Sequence, residues 1–397
     1  MNVTREQIRG FRLRGHHLDR RLPAGSLEEA AGACGVQNSP PGAWETALFL
    51  RVEDCARGEL ERALYQEKRL LQAWSFRGVP AVFPTGDAGV FLTPLAALPG
   101  EEPWIYTRGI TAALDFAGLT FDGLLSLVEK ACRWLEGHTV KSKEELDRVL
   151  AALVEEDLPP EKRAAWRAPS MYGSPDRQTV GGAAVSFLLR PCSFRGLVVF
   201  GQREENTPTF TAPGRWLGRP LEMGPDGERE LVRRFLRCYG PSAPAQFQAW
   251  LGCSPRQARR LWSGAAEELA AVETEEGRRW LLAADLEDLK AGEEGDRLLL
   301  LGPHDPYLDL RDRDLVLEDR ARQRTVWRTV SNPGAILRGG RIIGIWTAKS
   351  AGGRLDMELV LWEQAGSDAL AELKCRAEEY AAFRGAPIRR LAVRGEM

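Results

Sequence analysis

The clearest pattern of apolar and polar positions lies late in the chain. In residues 244–269, PAQFQAWLGCSPRQARRLWSGAAEEL, apolar side chains recur at helical spacing as far as Gly252. Ser254 then predicts the N-cap of a second helix that has a proline at its first position. The next segment, LAAVETEEGRRWLLAADL, is typical of strand, polar turn and strand. Two helices joined by a short turn and followed by a hairpin indicate a winged helix over residues 230–286.

The same order of elements is expected twice more upstream. Residues 26–52 predict two short helices on either side of the turn GVQNS at 35–39. In the middle of the chain, Ser142 with Glu145 forms a capping-box pattern and predicts a helix over residues 139–156. The strands expected after these helices are 70–83, 90–95, 181–190 and 196–201.

The pattern becomes strand-rich after about residue 295. Gly339-Gly340 lies between two apolar runs, which is typical of a two-residue hairpin turn. The strands expected here are 297–302, 325–330, 335–346, 357–362 and 389–393, with a helix at 367–385. We therefore predict an α+β fold of three tandem winged-helix units and a β-rich C-terminal domain. The predicted domains are 1–100, which contains the turn GVQNS, then 101–222, 223–294 and 295–397.

Composition narrows the class of protein. A chain of 397 residues with 44% hydrophobic side chains supports two to four domains. No apolar run approaches the roughly 20 residues that span a bilayer, and the N-terminal segment lacks the apolar core of a signal peptide. We expect a cytoplasmic protein that binds no membrane.

The cysteines and histidines do not indicate a metal site. The seven cysteines are scattered and never spaced C-x-x-C, which argues against a disulfide framework and against a zinc finger. His16 and His17 are adjacent, so on a helix they point about 100° apart and cannot both bind one metal from one face. We expect no metal.

Charge is unevenly distributed along the chain. The net charge is only −2, yet residues 1–21 hold six arginines against Glu6 and Asp19. Arginine suits phosphate because its planar guanidinium donates two hydrogen bonds at once. A coding bias towards arginine explains the same excess, so both interpretations stay open. If the excess serves nucleic acid, the candidate DNA-binding residues are Arg9, Arg12, Arg14, His17, Arg256, Arg259 and Arg260.

The turn GVQNS holds the candidate catalytic residues. Gln37 and Ser39 are two positions apart, so in an extended segment their side chains face the same way. That spacing can build a small polar site. The alternative is structural: Gln37 would bond the backbone of a tight turn, and Ser39 would be the N-cap of a helix that starts near Pro40.

An aspartate-rich segment, DPYLDLRDRD at residues 305–314, has a similar ambiguity. It could supply a carboxylate pair or a metal loop. Alternating Asp and Arg more often makes a surface turn whose charges neutralise one another locally. We expect the surface turn.

Several stretches occur together in a characteristic order from about residue 4 to residue 390. They are GVQNS followed by ALFLRV, then AWSFRGVPAVF, CYGPSAPAQFQAWLG, LLGPHDPYLDLRDRDLVL and GGRIIGIW. In this order they resemble the winged-helix DNA glycosylase family of AlkZ and YcaQ, which excise alkylated purines and unhook interstrand crosslinks. The resemblance implies a concave basic surface formed by tandem winged helices. It also implies a catalytic motif of Gln, an apolar residue, and Gln or Asp.

Carried over residue by residue, this motif falls on Gln37, Asn38 and Ser39. Gln37 matches, whereas Asn38 stands where an apolar residue is expected and Ser39 stands where the second amide or carboxylate belongs. The resemblance implies a monofunctional glycosylase for cationic alkylated purines, in which Gln37 orients water and Ser39 assists. It implies no cofactor, double-stranded DNA as the partner, and a monomer. The alternative is a catalytically impaired protein that binds DNA or lesions without excising bases.

Overall fold

The computed structural model describes residues 1–102, 107–172, 178–292 and 295–395, and it is a mixed α+β structure. Its helices are α1 (Arg5–Gly15), α2 (Leu27–Gly32), α3 (Ala43–Arg51), α4 (Arg57–Glu61), α5 (Ala88–Phe91), α6 (Thr111–Ala117), α7 (Phe121–Cys132), α8 (Lys143–Asp157), α9 (Pro160–Arg167), α10 (Val180–Phe194), α11 (Pro213–Leu217), α12 (Gly227–Tyr239), α13 (Pro244–Leu251), α14 (Pro255–Gly264), α15 (Leu286–Lys290), α16 (Arg320–Val326) and α17 (Ser367–Arg384). Its strands are β1 (Val36–Gln37), β2 (Leu70–Trp74), β3 (Pro80–Pro84), β4 (Thr139–Lys141), β5 (Val199–Phe200), β6 (Thr209–Thr211), β7 (Leu269–Thr274), β8 (Gly277–Leu282), β9 (Leu298–Leu301), β10 (Gly334–Arg338), β11 (Arg341–Ala351), β12 (Arg354–Leu361) and β13 (Ile388–Gly395). The predicted α+β class is confirmed.

The chain groups into two compact units that are not contiguous in sequence. The first unit comprises Met1–Ala63, Val232–Trp250 and Gly264–Met397, and the second comprises Leu64–Leu231 and Leu251–Ser263. The N-terminal helices therefore belong to the same unit as the C-terminal sheet. The division into four contiguous domains stays a prediction.

A five-stranded sheet organises the first unit. Its strand order is β13-β12-β11-β10-β9, with antiparallel pairing from β9 to β12 and parallel pairing between β12 and β13. Gly339 and Gly340 both have positive φ, 54° and 77°, as a tight turn between β10 and β11 requires. Helix α17 packs Leu373, Ala377 and Ala381 against the apolar residues of the sheet. The β-rich character expected after residue 295 is confirmed.

Helices α7, α8 and α10 form the core of the second unit. Their buried faces meet through side chains such as Val128, Leu150 and Leu188. The unit also contains the antiparallel pair β2 and β3 and a small sheet of order β4-β6-β5. Ser142 caps α8 as predicted, because its side chain accepts a hydrogen bond from the Glu145 amide.

Three segments that were expected as strands are not strands, and two of them are helical. Residues 181–190 lie within α10, residues 90–95 belong to α5 and a 3-10 turn, and residues 325–326 end α16. A continuous apolar run fits a buried helix as well as a buried strand, so period alone could not separate them. The N-caps favour the helices. Thr179 accepts a hydrogen bond from the Gly182 amide at the start of α10, and Asp319 caps α16 upstream of residues 325–330.

The two late helices and the hairpin form where they were expected. Helix α14 starts with Pro255, and Ser254 Oγ accepts from the Gln257 amide at 3.2 Å. Strands β7 and β8 pair antiparallel across the polar turn, from Leu269 with Leu282 to Thr274 with Gly277.

Among the described residues no single helix is long and apolar enough to cross a membrane. One bent helix pair, Thr111–Ala117 with Phe121–Glu136, has the length and composition of a membrane span, but nothing beyond length and composition supports that interpretation.

Candidate active-site loop

Gln37 lies at the end of strand β1 and is almost fully buried, with 6% of its surface exposed. Its Nε2 donates a hydrogen bond to the backbone carbonyl of Ser39 at 2.8 Å. This bond fixes which end of the amide is the donor and leaves Oε1 as the acceptor end. The loop thus holds one amide carbonyl in a defined orientation, as a group that positions a water molecule must be held.

Asn38 closes the same loop from the other side. Its Oδ1 accepts a hydrogen bond from the Gly42 amide at 2.7 Å. Gly42 is the N-cap of α3 and has φ of +89°, a conformation that favours glycine. An apolar side chain at position 38 could not make this bond. The polar residue found there is therefore explained by the loop geometry.

Ser39 is not the cap of α3, so the structural interpretation of this serine was wrong. The helix begins at Ala43, and its N-cap Gly42 makes no side-chain cap bond. The Ser39 side chain is half-buried, and its backbone carbonyl receives the bond from Gln37. The structural interpretation of Gln37 was correct in one respect, because its side-chain amide does donate to the backbone of the turn.

Helix α3 is anchored by a buried ion pair with Asp305. Nη1 and Nη2 of Arg51 each donate to one of the two Asp305 carboxylate oxygens at 2.8 Å. The side chain of Arg51 is 2% exposed and that of Asp305 is 0% exposed. Asp305 also accepts from the Tyr307 amide at 3.0 Å. Because the pair is bidentate and fully hydrogen-bonded, it fixes the helix that follows the Gln37 loop.

The interpretation of residues 305–314 as a self-neutralised surface turn was wrong at two positions. Asp305 is buried against Arg51, and Asp312 accepts two hydrogen bonds from Arg12 at 2.8 and 2.7 Å. These arginines are more than 250 positions away in sequence, so no local pattern could identify them as partners.

The N-terminal arginines largely stabilise the first unit. Arg12 is 2% exposed and, besides Asp312, donates to the carbonyls of Gly240 and Pro241. Arg9 is 6% exposed and donates to the Leu315 carbonyl at 3.0 Å. Buried guanidiniums that are used in this way cannot contact phosphate, so the DNA-binding prediction for Arg9 and Arg12 is corrected.

Arg14 and His17 remain nearer the surface. Arg14 is half-buried and donates to the backbone carbonyl of Asp288. His17 is half-buried with φ of +53°, and burial lowers the pKa of its imidazole below the usual range.

Helix α14 presents two exposed arginines and one that is engaged within the second unit. Arg256 and Arg259 are exposed, and Arg256 Nη1 donates to the Gly100 carbonyl at 2.7 Å. Arg260 donates to Glu101 at 2.6 Å and also pairs with Glu228. Burial is the largest single effect on Glu101 and acts to raise its pKa, but the hydrogen bonds from Arg260 and the Leu98 amide, together with the nearby arginine charges, outweigh it, so that pKa is lowered. Arg260 is thus held by two carboxylates, whereas Arg259 has no ion pair among the residues that the structure describes.

A buried cluster of potential metal ligands was missed by the sequence analysis. It consists of His16, Cys34 and Cys238, whose ligand atoms all lie within 4.8 Å of one another. Burial lowers the pKa of His16 well below its usual value, with Arg51 and Arg12 adding to the effect, so the imidazole is neutral. Burial also raises the pKa of Cys238, so its thiol is protonated at neutral pH. The three residues are distant in sequence, which is why spacing could not reveal them.

Comparison with known proteins decides the family. The model of the family described as DNA glycosylase AlkZ-like matches residues 30–383. The chain belongs to the AlkZ-like family. This confirms the resemblance on which the sequence analysis relied, and the Gln37 loop lies within the matched region.

A curated protein and a solved structure, both of AlkZ from Streptomyces sahachiroi, support the AlkZ-like assignment over the full length of the chain. The interstrand DNA cross-link repair glycosylase of Streptomyces sahachiroi is 23% identical over 403 aligned positions, which cover 99% of this chain and 100% of that protein. The solved structure of the Streptomyces sahachiroi DNA glycosylase AlkZ has a TM-score of 0.76 at 21% identity and covers 100% of both chains. The structural likeness shows that this chain has the AlkZ fold.

Proposed function

We propose that this chain is a monofunctional DNA glycosylase that hydrolyses the N-glycosidic bond of cationic alkylated purines in duplex DNA. The observation that carries the proposal is the Gln37 amide, held by the Ser39 carbonyl at 2.8 Å in a chain of the AlkZ-like family. Because the full-length likeness is to glycosylases, the proposal is favoured over the binding-only alternative.

The reaction needs little from the protein in the way of proton transfer. An N3- or N7-alkylated purine is already positively charged. When the bond from C1′ to the base nitrogen breaks, the electron pair goes to the base, which leaves neutral. The deoxyribose becomes an oxocarbenium-like cation, and a water molecule adds to C1′ and gives its proton to solvent. The site must therefore orient water and tolerate positive charge.

Gln37 would supply the orientation. Its Nε2 is used by the Ser39 carbonyl, so its Oε1 is the end that accepts a hydrogen bond from the attacking water. A preorganised acceptor costs no reorganisation when the cation forms. The hydrogen bond from the Gly42 amide to Asn38 fixes the loop in which this acceptor sits.

Ser39 would assist by holding the same water, and its identity limits the substrate. The family motif has an amide or a carboxylate at this position, and a serine hydroxyl carries no negative charge to stabilise the oxocarbenium ion. The barrier for a neutral base, which also needs protonation as it leaves, would remain high. We therefore expect activity on cationic lesions alone.

DNA binding would use the helix-turn-helix segments and hairpins as winged helices. The support is the order of elements in the chain, with α13, the Ser254-capped α14 and the hairpin β7–β8 following one another. Arg256 and Arg259 are exposed on α14 and suit phosphate contacts. Three such units in one chain remove the need for a dimer, so we expect a monomer.

A comparison of two lesions tests the reaction class. Duplexes that carry a single 7-methylguanine and duplexes that carry a single hypoxanthine are incubated with the enzyme in excess, and free base is measured. The proposal predicts release of 7-methylguanine and none of hypoxanthine. Release of both at similar rates would contradict the restriction to cationic bases, and release of neither would contradict glycosylase activity.

A further inference from the structure

The buried cluster of His16, Cys34 and Cys238 joins three segments of the first unit. His16 is the C-cap of α1, Cys34 follows α2 directly, and Cys238 lies on α12. The three residues are 1%, 4% and 0% exposed. His16 Nδ1 lies 3.9 Å from Cys34 Sγ, and all three ligand atoms lie within 4.8 Å of one another.

We propose that this cluster is a structural zinc site. Zn–N and Zn–S bonds of about 2.0 to 2.3 Å place the ligand atoms of a tetrahedral zinc roughly 3.3 to 3.8 Å apart. The observed separations need only a small contraction to reach that spacing. Two thiolates and one imidazole are also the donor set that zinc prefers over calcium or magnesium.

The charges around the cluster are compatible with a dication. The buried guanidiniums nearby, Arg51 and Arg12, are each neutralised by a bidentate carboxylate, Asp305 and Asp312. The Cys238 thiol now donates to the Gly15 carbonyl at 3.3 Å. On binding, each thiol would give its proton to solvent, and Zn²⁺ with two thiolates and neutral His16 would carry no net charge.

His16 is buried, and its Nε2 has no hydrogen-bond partner among the described residues. Buried polar atoms are rarely left without a partner, so each one calls for an explanation. A flip of the imidazole about Cβ–Cγ exchanges Nδ1 with Cδ2 and Nε2 with Cε1. Nδ1, which lies 3.9 Å from Cys34 Sγ, is the nitrogen that is placed to bind the metal.

The remaining side of the cluster is occupied by Tyr239. Its hydroxyl lies 3.9 Å from Cys34 Sγ and donates to the Pro306 carbonyl at 2.7 Å. The phenol thus borders the cluster beside Cys34. Because Cys34 immediately precedes the Gly35-Val36-Gln37 segment, a metal here would anchor the start of the candidate catalytic loop.

The test measures metal binding directly and does not depend on excision. The full chain is purified without chelator or affinity tag, and its zinc content is determined. The metal-free protein is then titrated with Co²⁺ and followed by absorption. We expect stoichiometric zinc and, with Co²⁺, a thiolate charge-transfer band together with the visible bands of tetrahedral cobalt.

Variants distinguish this site from the other cysteines. Cys34→Ser and Cys238→Ser should each abolish the thiolate band and the rise in melting temperature that zinc gives the metal-free protein. The matched control is Cys192→Ala, because Cys192 is also buried and contacts another cysteine, Cys132, in the second unit. This control should retain both signals.

Three outcomes would overturn the proposal. They are wild-type protein without zinc and without a cobalt–thiolate band, a band that survives in Cys34→Ser, and a band that is lost in Cys192→Ala. The wild-type titration is decisive even if a variant fails to fold. Because metal content and melting are measured without DNA, failure here leaves the proposed glycosylase function intact.

Discussion

The side-chain amide of Gln37 donates to the backbone carbonyl of Ser39 at 2.8 Å, which joins the two polar positions of the candidate motif through backbone rather than through two side chains. The backbone of Ser39, which departs from the family motif, thus orients the side chain of Gln37, which matches it. Substitution of the Ser39 side chain leaves this bond in place, because the acceptor is a main-chain atom. The roles of the two residues can therefore be separated by mutation.

Ser39→Ala is expected to leave stability almost unchanged, within about 0.5 kcal/mol, because the serine does not cap α3. If its hydroxyl helps to hold the attacking water, the single-turnover rate of 7-methylguanine release should fall. Chemical denaturation and base release measure the two effects separately. A loss of 1 kcal/mol or more, about the cost of losing a cap, would show that the hydroxyl has a structural role instead.

Ser39→Asp provides the converse test. A carboxylate at this position would supply the charge found in the form of the family motif that ends in Asp, and it would stabilise the oxocarbenium ion. We expect faster release of 7-methylguanine than from the wild type. A slower rate with unchanged duplex affinity would mean that position 39 lies away from the reacting sugar.

Asn38→Leu should destabilise the protein by about 0.5 to 2 kcal/mol, since it removes the acceptor for the amide at the N-cap of α3. Excision should fall as well, because the loop that holds Gln37 loses its closing bond. The control is Asn38→Asp, which keeps an acceptor oxygen and should keep most of the stability. Equal stability of the leucine variant and the wild type would show that Asn38 does not hold the loop.

Arg51→Ala should be among the most destabilising substitutions in the first unit. It would leave the Asp305 carboxylate buried without its partner, and removal of one member of a buried pair costs about 3 to 5 kcal/mol. Denaturant unfolding measures the loss. The control is Arg148→Ala, which removes an exposed arginine paired with Glu145 and should cost less than about 1 kcal/mol. Similar losses in the two variants would contradict the anchoring role of the buried pair.

Arg259→Ala should weaken duplex binding and reduce the slope of log K against log salt by about 0.9, the value for one phosphate contact. Arg259 is exposed on α14, whereas Arg390 is exposed on β13 of the C-terminal sheet, and Arg390→Ala serves as the control. Filter binding over a range of salt concentrations gives both slopes. An unchanged slope for Arg259→Ala would remove this residue from the interface.

Local signals in the sequence predicted much of the fold. The Ser142 and Ser254 caps, the Gly339-Gly340 turn and the strands β9 to β13 all depend on neighbouring residues, and these elements form close to where they were expected. Residues 181–190 were misassigned because a fully apolar segment has no period that separates strand from helix.

The site was less accessible to sequence reasoning, because its supports are long-range. Arg51 with Asp305, Arg12 with Asp312, and the cluster at His16 each join residues that are far apart in the chain. An arginine-rich first helix indicated a basic surface, yet two of its guanidiniums are used inside the protein. Gln37 and Ser39 became candidates through their spacing in the turn, and the family resemblance then gave each of them a proposed role.

The central claim is that the Gln37 carbonyl orients the water that attacks C1′. The measurement that tests it most directly is the single-turnover release of 7-methylguanine from duplex DNA by the wild type and by Gln37→Ala, at enzyme concentrations that saturate binding for both. We predict that both proteins bind the duplex with similar affinity and that base release by the variant is slower by about 10²-fold or more, the scale of losing one preorganised polar group. A wild-type protein that binds the duplex and releases no base, or a variant that releases it at the wild-type rate, would contradict the account.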